Sequence, residues 1–155
     1  MSKLRFLCID GASSEVIPNL PSSLRWFSWR QSHLEILPTN FYHKKLVHMD
    51  LSKSWNIRQA WTNKPQNENQ RFQKLKMFYL QNCWNLSESP DFSWFPYLKT
   101  LDLQYCRNLG DLHKSIGDLK SLVDLYLTMT NIKELPENIC RLSSLKHLIL
   151  GFAIH

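Results

Sequence analysis

Leucine, or a residue of similar size, recurs along this chain at the spacing L-x-x-L-x-L: LRFLCI from Leu4, LRWFSW from Leu24, LVHMDL from Leu46, LKMFYL from Leu75, LKTLDL from Leu98, LVDLYL from Leu122 and LKHLIL from Leu145. These starts lie 20, 22, 29, 23, 24 and 23 residues apart. Within each copy the alternation has the period of two that marks a strand buried on one face. The fourth and sixth positions are therefore expected to turn inward, and the third and fifth outward. A second apolar set follows each strand, as in NLSESPDF, NLGDLHKSI, NIKELPENI and HLEILPTNF. There a proline or polar residue follows the apolar position and another apolar residue comes three further on, as in Leu135-Pro136 then Ile139, or Leu37-Pro38 then Phe41. Proline withholds an amide and fixes its own φ, so these returns are expected to be neither long helices nor central strands.

A period of roughly 20 to 29 residues built on this spacing is that of a leucine-rich repeat. One such unit cannot bury its own leucines, so successive coils must stack. The sequence thus predicts an α/β-type leucine-rich-repeat solenoid: a short parallel concave sheet, an irregular and helix-poor convex side, and about seven repeats, the last truncated. One domain spans residues 1–155, with repeat starts near 4, 24, 46, 75, 98, 122 and 145 and a polar insertion at about 62–73 in the third return. The closing strand, LKHLILGFAIH, is expected to leave Leu145, Leu148 and Leu150 open to water, so the isolated chain is expected to self-associate.

Composition narrows the class. With 155 residues, 43% of them hydrophobic and 21% charged, the chain suits one folded domain rather than a disordered segment. No run approaches the ~18 apolar residues of a membrane span. The start MSKLRFLCID lacks the apolar run of a secretion signal, so the cytoplasm is the expected compartment, with the nucleus as a second, and Cys8, Cys83, Cys106 and Cys140 are expected to be reduced thiols. The net charge of +6 equals the excess between Lys44 and Lys76, where eight bases face only Asp50 and Glu68. Such a patch can hold phosphates, but its charges are scattered through a polar insertion. A solvated loop is the favoured reading, and nucleic acid is disfavoured as a partner.

Cys83 and Cys106 occupy the ninth repeat position, where Ser32, Ser54 and Thr130 stand in other copies. A place filled by serine, threonine or cysteine calls for a small, weakly polar group that serves backbone amides at a buried bend. A zinc site of Cys83, Cys106 and His113 would call for closely spaced ligand pairs, and no C-x-x-C occurs. The chain also lacks G-x-x-x-x-G-K-[ST], G-x-G-x-x-G and H-E-x-x-H. Asp102 and Asp124, one repeat apart, have the residue type of an acid and base pair, yet carboxylates at such strand positions more often serve solubility. No catalytic, cofactor-binding or metal-binding residue is assigned.

The outward positions form columns. Phe6, Trp26, His48, Met77, Thr100, Asp124 and His147 make one; Cys8, Ser28, Asp50, Tyr79, Asp102, Tyr126 and Ile149 make the next; Tyr105, Met129 and Phe152 belong to a third. Tyrosine, tryptophan and methionine are enriched at protein interfaces, but rings also stack across neighbouring strands to stabilise a sheet. Both readings stay open for Tyr79, Tyr105 and Tyr126, while stacking is favoured for Trp26. The candidate protein-binding residues of the concave face are Trp26, Arg30, His48, Tyr79, Asp102, Tyr105, Asp124 and Tyr126.

LPSSLRWFSWRQSHLEILPTNFYHKKLVHMDLSKSWNIRQAW resembles the opening repeats of the leucine-rich region of plant intracellular immune receptors of the TIR, nucleotide-binding, leucine-rich-repeat type. SPDFSWFPYLKTLDLQYCRNLGDLHKSIGDLKSL does so too, through its PDF, C-x-N-L and H-x-S-I-G-x-L. The resemblance covers roughly Leu4 to Leu150 and implies a defence role. A module of this kind would recognise a pathogen effector or a host protein that it alters, and would hold the receptor's nucleotide-binding domain inactive until then. Neither a TIR nor a nucleotide-binding domain is present in this sequence, so none of their residues carries over. A leucine-rich signalling scaffold outside immunity is the alternative. SKSWNIRQAW departs from the family pattern by one extra residue, and by Ala60 where leucine is common.

Overall fold

The computed structural model describes residues 3–11, 20–37 and 43–152. The expectations for Pro38 and Phe41, and for the side chain of Phe152, lie outside the described residues. Seven strands form one parallel sheet: β1 (Phe6–Asp10), β2 (Trp26–Arg30), β4 (His48–Asp50), β6 (Met77–Tyr79), β7 (Thr100–Asp102), β8 (Asp124–Thr130) and β9 (His147–Phe152). On the return side, β3 (Ile36–Leu37) and β5 (Gln59–Ala60) pair with each other. The long sheet follows chain order from β1 to β9. Its register sets Phe6, Trp26, His48, Met77, Thr100, Asp124 and His147 side by side, with Cys8 through Ile149 in the next outward row.

Burial follows the leucine spacing. Leu24, Leu46, Leu75, Leu98 and Leu122 at the first position are fully buried, as are Phe27, Met49, Phe78, Leu101 and Leu125 at the fourth. Trp29, Leu51, Leu80, Leu103 and Leu127 complete the inner layer at the sixth. Each such side chain contributes about 1.5–3 kcal/mol. No single coil can bury both flanks of its leucines, so the middle coils are sealed by neighbours on either side. Leu148 and Leu150 in β9 remain 36% and 46% exposed.

Among the described residues a bend precedes each strand of the long sheet from β2 to β9, and another closes β1, β2, β4, β6 and β7. Before the strand, the amide of the first leucine donates to the carbonyl three residues back, as from Leu24 to Pro21 (3.0 Å), Leu98 to Phe95 (3.1 Å) and Leu122 to Leu119 (3.0 Å). At the far end the eighth repeat residue takes a left-handed backbone: Gly11, Gln31, Lys53, Asn82 and Tyr105, just past their strands, and Met129, at the irregularity inside β8, have φ between 56° and 68°. Glycine fits there freely and the other five do not.

Among the described residues the helices of the returns are all short 3-10 turns, η1 (Glu68–Gln70), η2 (Phe92–Trp94), η3 (Lys114–Asp118) and η4 (Glu137–Arg141). His113 accepts from the Ser115 amide at the start of η3, and Asp91 from the Ser93 amide at the start of η2. Gly117 is dictated by contact, since a Cβ there would stand 2.5 Å from the Asn138 side chain of the next return. The architecture is a leucine-rich-repeat solenoid with a helix-poor return side. One expectation is corrected: the insertion at 62–73 is not simply a solvated loop. Trp94 Nε1 donates to the Asn63 carbonyl (2.6 Å), the Phe72 amide donates to the Trp94 carbonyl (2.8 Å), and Phe72 is fully buried. The ring of Trp61 packs edge-on against Phe72, Phe78 and Phe95 at 5.3–6.0 Å, which anchors the segment to the core.

Candidate protein-binding face

The outward sheet face begins with an aromatic ladder. Phe6 stacks on Trp26 (centroids 5.3 Å apart, planes 22° apart), Trp26 on His48 (3.4 Å, 9°), and His48 leans on Tyr79 at 5.1 Å. The parallel register makes this contact, because rings one strand apart lie within stacking reach. His48 was expected as an exposed contact residue; it is buried instead, held between the Trp26 and Tyr79 rings. Burial pulls its imidazole below the ordinary value, and the Asp50 charge opposes this only in part. Trp26 is half-buried by its two partners, whereas Phe6 stays 56% exposed.

The second half of the face is polar. Asp102 was also expected to be exposed and is buried, because the Gln81 and Gln104 side-chain amides cover it and the Gln104 amide donates to it at 3.0 Å. Asp50 receives the Ser52 amide in the same way (2.9 Å), and Arg30 Nε lies 3.9 Å from its carboxylate. These aspartates therefore brace the bend two residues on. Tyr79 sits in register between Asp50 and Asp102. Burial, then those two charges, push its phenol above the ordinary value. Asp124 accepts from His147 Nδ1 (2.6 Å) and Thr100 Oγ1 (3.0 Å). The His147 bond, against a smaller effect of burial, holds its carboxyl below the usual range. Tyr126 is half-buried and Tyr105 is 40% exposed. The ladder thus joins Trp26, His48 and Tyr79, while Arg30, Asp102, Asp124, Tyr105 and Tyr126 stand along the same face without forming one pocket.

The ninth-position residues Ser32, Ser54, Cys83, Cys106 and Thr130 are all buried. The Cys83 thiol donates to the Leu51 carbonyl (3.5 Å) and the Cys106 thiol to the Leu80 carbonyl (3.1 Å), each in the preceding coil. The expected partner, a backbone amide, is met at Ser54, whose Oγ accepts from the Ser32 amide at 3.0 Å, and the Ser54 and Cys83 amides also act on the Cys83 and Cys106 sulfurs, opposing in part the effect of burial. A thiol is a donor with a poor acceptor, so it takes the carbonyl. Burial pushes Cys106 up to about 12 and Cys83 well above its ordinary value, which keeps both as thiols.

A constellation on the return side was not anticipated. His113 Nδ1 lies 2.7 Å from Ser115 Oγ and 3.8 Å from Asp91 Oδ1. A serine–histidine–aspartate relay needs its serine and aspartate on opposite ring nitrogens; here both approach the same one. Ser115 Oγ accepts from the Phe92 amide (2.7 Å) and Ser89 Oγ from the His113 amide (2.7 Å), so the group stitches successive returns together. Burial alone raises Asp91, but hydrogen bonds from Ser93 and Ser115 outweigh it and hold the carboxyl below the usual range. The H-x-S pattern was visible in the sequence; its pairing with Ser89 and Asp91 one repeat earlier was not.

No protein-family model matches the chain. Among characterised proteins it is 31% identical over 138 residues to TMV resistance protein N of Nicotiana glutinosa, covering 88% of this chain and 12% of that protein. Disease resistance protein RML1A of Arabidopsis thaliana is 31% identical over 159 residues (97% and 15%), and disease resistance protein RPV1 of Vitis rotundifolia 38% over 97 residues (63% and 6%). The solved leucine-rich repeat domain of the type III effector XopL aligns with 96% of this chain and 69% of its own, at 19% identity and a TM-score of 0.48. No helix of the described residues is long and apolar enough to cross a membrane. The chain spans about an eighth of the length of the first relatives it matches, and over most of its own length it is a homologue of plant TIR-type nucleotide-binding leucine-rich-repeat disease resistance proteins.

Proposed function

We propose that the chain is a sensor module of a plant intracellular immune receptor, and that the outward face of its sheet binds a pathogen effector or a host protein that an effector alters. The same module holds the nucleotide-binding domain of its parent receptor inactive, in the cytoplasm or the nucleus. The observation that carries this reading is the unbroken register of the outward rows, which lines up rings at one end and tyrosines with carboxylates at the other. Rigid aromatic side chains with a polar tip tend to dominate protein interfaces. The ladder uses part of this surface for its own stability, so the free anchors are Phe6, Tyr105 and Tyr126, with Tyr79 at the join.

The test places Tyr79→Ala, Tyr105→Ala and Tyr126→Ala, singly, in the parent receptor and measures pathogen-triggered cell death against receptor abundance. Loss of response at normal abundance supports the proposal. A normal response in all three, with loss on Lys64→Ala or Glu68→Ala of the return side, would mean that another surface senses the partner.

A further inference from the structure

The bend before each strand puts its two central residues at one edge of the solenoid, since the closing hydrogen bond to the first leucine recurs from the second coil onward. The residue after the leucine joins them there. Arg5 O accepts from the Arg25 and Trp26 amides, Arg25 O from those of Val47 and His48, and the same ladder runs on through Lys76 and Lys99 to Lys146. That position holds Arg5, Arg25, Lys76, Lys99 and Lys146, with valine in the other two coils. The bends themselves supply Lys3, Lys44, Lys45, Lys74 and Lys120. No aspartate or glutamate stands at any of these places in any of the seven coils. One edge thus gathers ten of the chain's 19 lysines and arginines and none of its 13 acids, which leaves the rest of a chain of net charge +6 acidic.

Eight of the ten are exposed; Arg25 and Lys76 are half-buried. Among the described residues none of the ten forms an ion pair. Arg25 Nη1 reaches the Lys45 carbonyl of the next coil (3.5 Å) and Lys76 Nζ the Tyr97 carbonyl (3.3 Å), so these two heads lie along the neighbouring bends, while Lys120 Nζ donates to the Gly117 (2.9 Å) and Arg141 (3.0 Å) carbonyls at the edge of the returns. At about 4.8 Å per strand, six spacings from Arg5 to Lys146 make a stripe roughly 29 Å long. Charges a strand apart lie inside the ~8 Å screening length, so the row repels itself until an anion lies on it.

We propose that this edge docks an extended acidic segment of a partner protein. The shape of the charge decides the occupant. Asp50 and Asp102 lie three strand residues from the edge, about 10 Å at ~3.3 Å per residue, and Asp124 lies closer, next to Val123. A nucleic-acid duplex is broad enough to cover both the edge and this acidic row, where its phosphates meet like charge. A single acidic polypeptide follows the cations alone. The one ring at these positions, Tyr97, already faces the Lys76 ammonium at 5.1 Å and offers no free platform for bases. The edge is separate from the outward sheet face, and the proposal does not depend on what that face binds.

The experiment titrates the whole chain into a labelled peptide of alternating glutamate and glycine and follows anisotropy from low to physiological salt. The expected result is binding that weakens steeply with salt, and weakens roughly tenfold in an Arg25→Gln, Lys99→Gln, Lys146→Gln variant whose circular dichroism is unchanged. A Lys64→Gln, Lys114→Gln, Arg141→Gln variant on the return side is expected to change it less than about twofold. Equal loss in both triple variants reduces the effect to net charge and overturns the proposal, as does absence of binding at low salt. Tighter binding of single-stranded or duplex DNA at matched salt overturns the polypeptide as occupant.

Discussion

Replacing Cys106 separates the two things a buried thiol can do. Its sulfur donates to the Leu80 carbonyl at 3.1 Å, and that carbonyl also accepts the Cys83 amide at 3.3 Å. Cys106→Ala therefore removes one of two donors rather than stranding the acceptor, at roughly 0.5–1 kcal/mol, near the low end for a net hydrogen bond because sulfur donates weakly. Loss of the buried sulfur adds about 1 kcal/mol of transfer and cavity cost. The expected total is about 1.5–2 kcal/mol, or a melting temperature lower by roughly 3–8 °C for a chain of this size. Cys106→Ser restores a donor, as serine does at positions 32 and 54, and is expected to cost about half as much. Urea unfolding followed by tryptophan fluorescence ranks the two variants. The thiol's proton gives a second readout. Burial raises it to about 12 in the fold, above the ~8.5 of an unfolded chain. As pH rises past ~8.5 the unfolded state loses its proton first, so this contribution is intact below that value and falls towards 12. Cys106→Ser lacks that slope. Serine and alanine variants of equal stability, or a folded Cys106 that reacts with a thiol reagent as fast as the exposed Cys140, would refute the assignment.

His48 carries an opposite dependence: its folded value lies below 6.5, so the unfolded chain takes up the proton first as pH falls and stability is lost on acidification. His48→Phe keeps a ring between Trp26 and Tyr79 and is expected to flatten the urea midpoint between about pH 7 and 5; an unchanged slope would assign the effect elsewhere. Tyr105→Gly relieves a left-handed backbone worth about 1 kcal/mol, offset in part by chain entropy, and is expected to melt no lower than Tyr105→Ala. With Leu148, Ile149 and Leu150 exposed by 36%, 44% and 46%, the 155-residue chain is expected to sediment as an oligomer and Leu150→Glu to lower its mass; a monomer at high concentration would show the flank to be self-sufficient.

The outward and inward columns were legible because a period of two is written directly into L-x-x-L-x-L, and the spacing between copies brings each onto its neighbour. What one strand does to the next was less visible. Nothing in the residue His48 says that Trp26 and Tyr79 will close over it; that needs the register, which comes from 22 and 29 residues away. Asp102 read as a soluble strand carboxylate because its cover comes from glutamines after the strand, at 81 and 104, one of them in another coil. The basic excess between Lys44 and Lys76 is visible as one linear segment, while the stripe proposed above takes at least one base from each coil and is spread over the whole chain.

The recurring left-handed residue has a cause in how the coils are joined. Its amide points forward, from Gly11 to the Arg30 carbonyl (3.2 Å), Gln31 to Ser52 (3.1 Å), Lys53 to Gln81 (2.7 Å), Asn82 to Gln104 (2.9 Å) and Tyr105 to Thr128 (2.8 Å), always into the following coil. The next side chain, at the ninth position, points inward, and in Cys83 and Cys106 it bonds back to the preceding coil. Right-handed or extended φ at the eighth position cannot hold both directions at once, so the bend takes the conformation that glycine alone adopts without strain. The backbone is satisfied whatever side chain stands there. Glycine at position 11 meets that need in full, yet position 105 holds a tyrosine with 40% of its surface open. Folding gives no reason to keep an exposed ring at a site where its backbone is strained, and on that ground we propose Tyr105 as a contact residue, to be tested with Tyr79 and Tyr126 in the receptor assay.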